Sequence, residues 1–374
     1  MAAPDETERV TILGDGAMAT VCSILLTTGG HEVTMWGAFE ESIERLVQDR
    51  EQRRLLPGVK VPADVRLTAN DAEAFGRATL VLSAIPTQYM RSVWERLKPH
   101  LPKDLPIISV AKGIENNSLL RPTQVIADVL VGVGGAGRAK TRMEDGGLRI
   151  AGDDAAPSSI LNPPSSPSHP LVALSGPNIA GEIARYLPAT AVAASADEQL
   201  ARRVQAAFST QWFRVYTNDD VIGVELSGAI KNVIAIAAGI IDGLGAGNNA
   251  KAALVTRGLV EIQRLGVAMG AHEETFHGLA GVGDLITTCV SPKGRNRTVG
   301  EQIGKGKKLQ DVLDSMNSVA EGVPTTRAVR ELARRMGVDM PISEAVYAVL
   351  FENKDVLQAI TELMTRDPKP ERAD

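Results

Sequence analysis

Along the first half of the chain, apolar residues come in short β-branched runs, each separated from the next by a segment with helical spacing. The runs are Val10–Leu13, Val33–Trp36, Val65–Thr68, Leu80–Ala84, Ile107–Val110, Leu171–Leu174, Thr190–Ala194 and Phe213–Tyr216. Several are apolar almost throughout, the pattern of a strand buried on both faces. Alternation with helices predicts an α/β unit built on a parallel sheet. From about Val221 the period becomes helical, over Val221–Ile241, Lys251–Met269, Thr298–Gly304, Val312–Met316, Thr325–Met336 and Ser343–Glu352. Gly270, Gly304 and Pro341 read as helix stops between them. The pattern therefore divides the chain near Asn218, into an α/β domain over 1–217 and an all-α domain over 218–374.

Between Leu130 and Leu171 the periodicity lapses into a Gly-rich stretch that ends in Asn162-Pro-Pro-Ser-Ser-Pro-Ser-His-Pro170. It cannot bury enough apolar surface to fix itself and reads as a flexible surface insertion at about 131–170. No internal repeat of about 20 to 50 residues is apparent, so a solenoid or propeller is not supported. The 374 residues are 44% hydrophobic and 23% charged, enough for two packed cores.

A net charge of -5 offers no general field for nucleic acid or an anionic membrane, so an anion must be held by a local site. The longest apolar run, Val233–Ile241, has about half the residues of a membrane helix and is flanked by Lys231 and Asp242. No stable membrane insertion is expected. The acidic start, Met1 to Arg9, is unlike a secretory signal. Cys22 and Cys289 are too few for a disulfide framework and lack metal-ligand spacing, which points to the reducing cytoplasm. The five histidines are scattered, so metal catalysis gains no support, and the G-x-S-x-G elbow of hydrolases is absent.

Candidate chemistry begins at Gly14-Asp15-Gly16-Ala17-Met18-Ala19, a G-x-G-x-x-A turn after the first strand and before an apolar helix. Gly14 would permit the tight turn, Gly16 the approach of backbone N–H groups to a pyrophosphate, and Ala19 close packing of helix on strand. This context predicts a Rossmann-like dinucleotide site. Roughly 20 residues on, where an acid commonly takes the ribose 2′-hydroxyl, stand Trp36, Gly37 and Ala38, which leaves both NAD and NADP open.

Lys231 lies inside an almost wholly apolar helix, where Ser227, Gly228, Ile234 and Ala235 cannot neutralise it. It is either a proton-exchanging lysine with a lowered pKa or one that snorkels or pairs with a carboxylate from another segment. Other positions keep two readings each. Ala84-Ile-Pro-Thr-Gln88 is a strand-ending turn or a wall of the cofactor cleft, and Lys112 is solvated or holds a phosphorylated ligand. Asn178 and Asp284 are N-caps or ligand contacts, and Lys293-Gly294-Arg295-Asn296-Arg297 is a basic turn or a phosphate site.

In order and spacing, these segments resemble the bacterial-type NAD(P)-dependent glycerol-3-phosphate dehydrogenases over nearly the whole chain outside the insertion. The most specific stretches are Phe213-Arg-Val-Tyr216, Asp219 through Ile236, Gly278-Leu-Ala-Gly-Val-Gly-Asp-Leu285 and Arg295-Asn-Arg297. The resemblance implies reduction of dihydroxyacetone phosphate to sn-glycerol 3-phosphate for glycerophospholipid synthesis, by a cytoplasmic homodimer. It places Lys231 at the family's catalytic lysine, which exchanges the C2-hydroxyl proton. Lys112, Gly176, Asn178, Asp284, Gly294, Arg295 and Asn296 match substrate contacts, and Ala17, Met18, Ala38, Lys112, Ala180, Arg295, Val319 and Glu321 match cofactor contacts. Asp15, Ala19 and Cys22 depart from the family's usual loop, Ala38 and Phe39 stand where many relatives carry His or Arg, and Gly294 replaces a serine. Two other readings are a related dehydrogenase of 3-hydroxy acids and a dinucleotide-sensing protein without catalysis.

Overall fold

The computed structural model describes residues 7–131, 169–316, 319–368 and 370–371. The expected insertion at about 131–170 lies, apart from its ends, outside them. Eight strands form one sheet: β1 (Arg9–Leu13), β2 (Glu32–Trp36), β3 (Arg66–Thr68), β4 (Leu80–Ser83), β5 (Ile107–Ser109), β6 (Leu171–Ser175), β7 (Ala189–Ala194) and β8 (Phe213–Asn218). Each falls within two residues of the run that predicts it. Their order, β3-β2-β1-β4-β5-β6-β7-β8, reverses direction between β1 and β4. That reversal opens a crevice at the carboxyl ends of the strands, where open α/β sheets bind ligands.

The sheet is not wholly parallel. β6 and β7 run antiparallel, with Ala173 opposite Ala194 and Ser175 opposite Val192. Only a one-turn helix, Ala180–Ile183, joins them, too little to carry the chain back across the sheet for parallel pairing. Helices α1 (Ala17–Thr28), α2 (Glu40–Asp49), α3 (Asp71–Ala74), α4 (Thr87–Leu97), α5 (Pro122–Val131), α6 (Ala180–Ile183) and α7 (Glu198–Phe208) accompany this half.

Past β8 the described chain is helical: α8 (Val221–Leu244), α9 (Gly247–Ala268), α10 (Asp284–Val290), α11 (Arg295–Gly304), α12 (Leu309–Asp314), α13 (Gly322–Met336), α14 (Pro341–Phe351) and α15 (Val356–Met364). The α10 and α15 helices had no counterpart in the periodicity. Pro341 opens α14 as its first residue rather than ending a helix, because proline's missing N–H costs nothing there.

Every residue of α8 from Gly223 to Ile241 is buried. The helix is long and apolar enough to cross a membrane, but it forms the centre of this half's core. Asp220 starts it by accepting from Gly223 N at 2.8 Å, and Gly245, at φ 67°, ends it. Against α8 lies α11 at unusually close range. A Cβ on Gly239 would meet Arg297 O at 2.0 Å, one on Gly243 would meet Glu301 O at 2.3 Å, and one on Gly300 would meet Ile236 O at 1.9 Å. Only glycine allows this approach, and it fixes the start of α11 relative to Lys231.

Candidate active site

Lys231 projects from α8 into a polar pocket between the two halves of the molecule. Its ammonium donates to Asp284 Oδ1 at 2.5 Å and to Thr288 Oγ1 at 2.5 Å. Thr288 lies one helical turn after Asp284 in α10 and in turn donates to the Asp284 carbonyl at 2.7 Å. The second Asp284 oxygen accepts from Lys112 Nζ at 2.7 Å, and Lys112 also donates to Gly176 O at 2.8 Å. One buried carboxylate therefore bridges two lysines, one from each half. Burial pulls the Lys231 ammonium down to about 8, with Asp284 acting against the fall and Lys112 adding to it.

Local structure explains why these groups meet. Gly278-Leu-Ala-Gly-Val-Gly283 folds into a single wide helical turn, Leu279–Gly283, that delivers Asp284 to the first position of α10. A Cβ on Gly281 would strike Phe276 O at 2.0 Å. Asp284 is not an N-cap: its carboxylate faces the lysines. Asn178 is not a cap either, since Ile179 precedes α6.

Asn178 Oδ1 is buried with no partner among the described residues, and so is Ser175 Oγ. Both flank Gly176, whose φ of 140° turns the chain at the end of β6. A Cβ on Gly228 of α8 would lie 3.0 Å from Ser175 Oγ and 3.5 Å from Lys112 Cγ, so these orphaned polar atoms border the lysine pocket. Buried polar groups without partners are rare and are what a polar ligand would satisfy. Asn232, next to Lys231, donates to Lys112 O at 3.0 Å and ties the two segments together.

The basic turn separates into three roles. Arg297 is bound to Asp242 at 2.6 Å, and Lys293 is exposed. Arg295, also exposed, opens α11 after Gly294, with no side-chain cap and no side-chain hydrogen bond or ion pair among the described residues. Asn296 is buried and accepts from Gly322 N at 2.9 Å. Gly294 packs close to α10, where a Cβ would lie 3.1 Å from Thr288 O. The N-terminal end of α11 thus offers an unpaired guanidinium at a positive helix end, near the lysines.

On the sheet side, Gly14 takes φ 116° and donates its N–H to Trp36 O at 2.8 Å, while a Cβ there would meet Ala84 O at 3.0 Å. Gly16 caps α1 without a side-chain bond, so the first N–H groups of the helix stay available. A Cβ on Gly16 would find its nearest neighbour, Leu55, at 3.8 Å. Packing therefore does not demand glycine there, and backbone approach to a phosphate would. Ala17, Met18 and Ala180 pack on the sheet core near this turn, and Ala19 is fully buried against it. Ala38 O accepts from Arg96 Nη1 at 3.0 Å. Glu321 Oε1 accepts from Thr87 N at 3.0 Å, its pKa raised by burial, and Val319 is exposed two residues away. The Ile85-Pro-Thr turn is thus the start of α4, capped from the helical half.

Among positions left unmarked in the sequence, Thr288 and Ser175 belong to this pocket. Thr288 is recognisable only once α10 is known to be a helix, which makes it the i+4 neighbour of Asp284. Among the described residues no cluster of His, Cys, Asp and Glu could hold a metal ion.

A sheet with a glycine-rich first turn, facing a helical half that presents a buried lysine, defines the class of nicotinamide-dinucleotide dehydrogenases. The family model described as NAD-dependent glycerol-3-phosphate dehydrogenase N-terminus matches residues 9–134, and its C-terminus counterpart matches 220–361. The chain belongs to that family. It is 44% identical over 364 residues to glycerol-3-phosphate dehydrogenase [NAD(P)+] of Citrifermentans bemidjiense, covering 97% of this chain and 99% of that protein. It is equally identical, over 363 residues, to the enzyme of that name from Chlorobium limicola, with the same coverage. The crystal structure of glycerol-3-phosphate dehydrogenase from Coxiella burnetii superposes with a TM-score of 0.83 at 31% identity, covering 96% of this chain and 99% of that one.

Proposed function

We propose that this chain interconverts dihydroxyacetone phosphate and sn-glycerol 3-phosphate with NAD(H) or NADP(H), and that Lys231 handles the proton. The observation that carries this reading is the buried Lys231–Asp284–Lys112 bridge, which joins the helical half to the sheet half and holds a lysine brought down to about 8. A proton donor titrating near working pH is suited to general acid–base chemistry.

The uncapped start of α1 behind Gly14 and Gly16 fits a pyrophosphate, and Ala17, Met18, Ala38, Lys112, Ala180, Arg295, Val319 and Glu321 would line the rest of the dinucleotide site. When bound, the nicotinamide supplies or accepts the hydride at substrate C2. Lys231 donates its proton to the ketone oxygen in reduction and takes it from the C2 hydroxyl in oxidation. Asp284 and Thr288 fix the ammonium, and Asn232 holds it in register with Lys112. Asn178, Gly176 and Lys112 bind the hydroxyl end, while Arg295, Asn296 and the backbone of Gly294 hold the phosphate. Fixing both reactants supplies the proximity contribution.

In this reading the enzyme is a cytoplasmic homodimer that produces sn-glycerol 3-phosphate for glycerophospholipids, with the division into domains near Asn218. Dihydroxyacetone phosphate-dependent oxidation of reduced dinucleotide, in wild type and Lys231→Ala, tests the core of it. The variant should lose about 10²- to 10⁴-fold in kcat, the usual contribution of a positioned acid or base. Equal turnover would remove Lys231 from the mechanism, and turnover of 3-hydroxy acids in its place would move the substrate.

A further inference from the structure

The residue between the two loop glycines is an acid, Asp15, and the fold carries its side chain to the end of β2. Its Cβ lies 3.4 Å from where a Cβ on Gly37 would be. Ser42, in the first turn of α2, donates its hydroxyl to Asp15 Oδ2, and Gln52 Nε2 donates to the Asp15 carbonyl at 2.8 Å. Oδ1, the remaining carboxylate oxygen, has no partner among the described residues. The side chain is half-buried.

In a doubly wound sheet the adenosine ribose lies at the end of the second strand, where an acid accepts from its hydroxyls. Here the strand cannot supply that acid. Trp36 is buried with its Nε1 donating to Asp71 at 3.1 Å, and a Cβ on Gly37 would lie 2.6 Å from Ile43 Cδ1. The cation that the structure fixes at this strand end is already engaged. Arg96 donates to Asp71 at 2.6 and 2.7 Å and to Ala38 O at 3.0 Å, with its guanidinium over the Trp36 ring. Arg54, between Gln52 and Leu55, is exposed and has no side-chain hydrogen bond or ion pair among the described residues. The start of α2 would otherwise attract a phosphate, but Glu40 and Glu41 occupy its first turn and Asp15 is bonded to Ser42 beside them.

We propose that Asp15, latched by Ser42, accepts from the adenosine ribose of an unphosphorylated dinucleotide and repels a 2′-phosphate, so that this chain selects NAD(H) over NADP(H). The proposal rests on the dehydrogenase reading above for the class of cofactor only; the substrate does not enter it.

Calorimetric titration of the full-length chain with NADH and with NADPH tests this without turnover. Wild type should bind NADH about tenfold or more tighter, since like charges a few ångströms apart repel appreciably even at high effective dielectric. Asp15→Asn keeps the shape and an acceptor for Ser42 while removing the charge, and should narrow the ratio mainly by tightening NADPH. Asp15→Ser, smaller and also neutral, should move it the same way. Equal affinities in wild type, tighter NADPH, or an unchanged ratio in both folded variants overturns the assignment. If folded wild type binds neither dinucleotide, the dehydrogenase reading falls together with the proposal. If the ratio shifts as stated but dihydroxyacetone phosphate is not turned over, the proposal stands and only the substrate is wrong.

Discussion

Lys231 is held between opposing forces, and their balance sets the pH range in which it can work. Burial favours the neutral amine, Asp284 at 2.5 Å favours the ammonium, and Lys112 on the far side of the same carboxylate favours the amine again. At about 8, reduction, which consumes the ammonium proton, should decline as pH rises through that value. Oxidation, which needs the free amine, should rise over the same interval. Rates in both directions across that range check the sign. Asp284→Asn removes the charge that raises the lysine, so both limbs should move to lower pH; limbs that stay put would remove Asp284 from this role. In the sequence, Lys231 stands out as a cation inside an apolar run. Its partner does not, because Asp284 lies 53 residues away and glycine-flanked acids commonly cap helices. Lys112 reads as a solvated residue for the same reason: its burial comes from the other half of the molecule.

Elements were legible where the apolar period was long, and illegible where glycine or a short helix interrupted it. All eight strands and the core helix α8 follow from pattern, whereas α10 is hidden behind the Gly278–Gly283 turn and is too short to show a period. Gly270 follows the end of α9 and Gly304 ends α11, as stops should, but Gly304 and the unmarked Gly300 also lie against α8, a contact that periodicity does not reveal. Gly300→Ala would drive a methyl group into Ile236 O, so it should destabilise the fold by about 1–3 kcal/mol or more. It should also raise KM for the phosphorylated substrate by displacing Arg295 and Asn296; thermal unfolding and kinetics of one preparation read both.

A second element contact is charged. Glu261 of α9 accepts from Ile342 N at 2.6 Å and from Ser343 N at 3.1 Å, so it caps α14 from outside, where Met340 offers no side-chain cap. Burial raises its carboxyl to about 7 while these N–H groups oppose the rise. A raised carboxyl stabilises the fold fully below its unfolded value near 4.5 and loses that contribution as pH rises through about 7. Compared with Glu261→Gln, wild type should therefore lose up to roughly 3 kcal/mol of relative stability between those limits. Denaturant titrations at pH 5 and pH 8 compare the pair, and a constant difference between them would argue against burial as the cause.

On the scale of the whole molecule, the pocket exists because the sheet half and the helical half share polar contacts, and long-range pairing of that kind leaves no periodic mark in a sequence. The antiparallel β6–β7 pair was invisible for a related reason: strand direction depends on what the connection can span. Besides the Lys112–Asp284–Lys231 bridge, a second buried clamp joins the halves. Glu225, in the second turn of α8, pairs with Arg121 and accepts from Thr123 N at 2.8 Å and Thr123 Oγ1 at 2.7 Å. Arg121 and Thr123 stand at the start of α5, on the segment that leads away from Lys112, while Glu225 precedes Lys231 on one helix. The clamp thus anchors both lysine-bearing segments away from the carboxylate they share. Arg121→Met alone would strand the Glu225 charge in the core and should cost about 3–5 kcal/mol. Adding Glu225→Leu leaves no stranded charge, so the double variant should recover much of that stability, which chemical unfolding would register. If the clamp also sets the distance between Lys231 and Lys112, turnover should stay depressed in the double variant although its stability returns. Full recovery of both would confine the pair to packing, and an equal stability loss in single and double variants would mean that the stranded charge was never the cost.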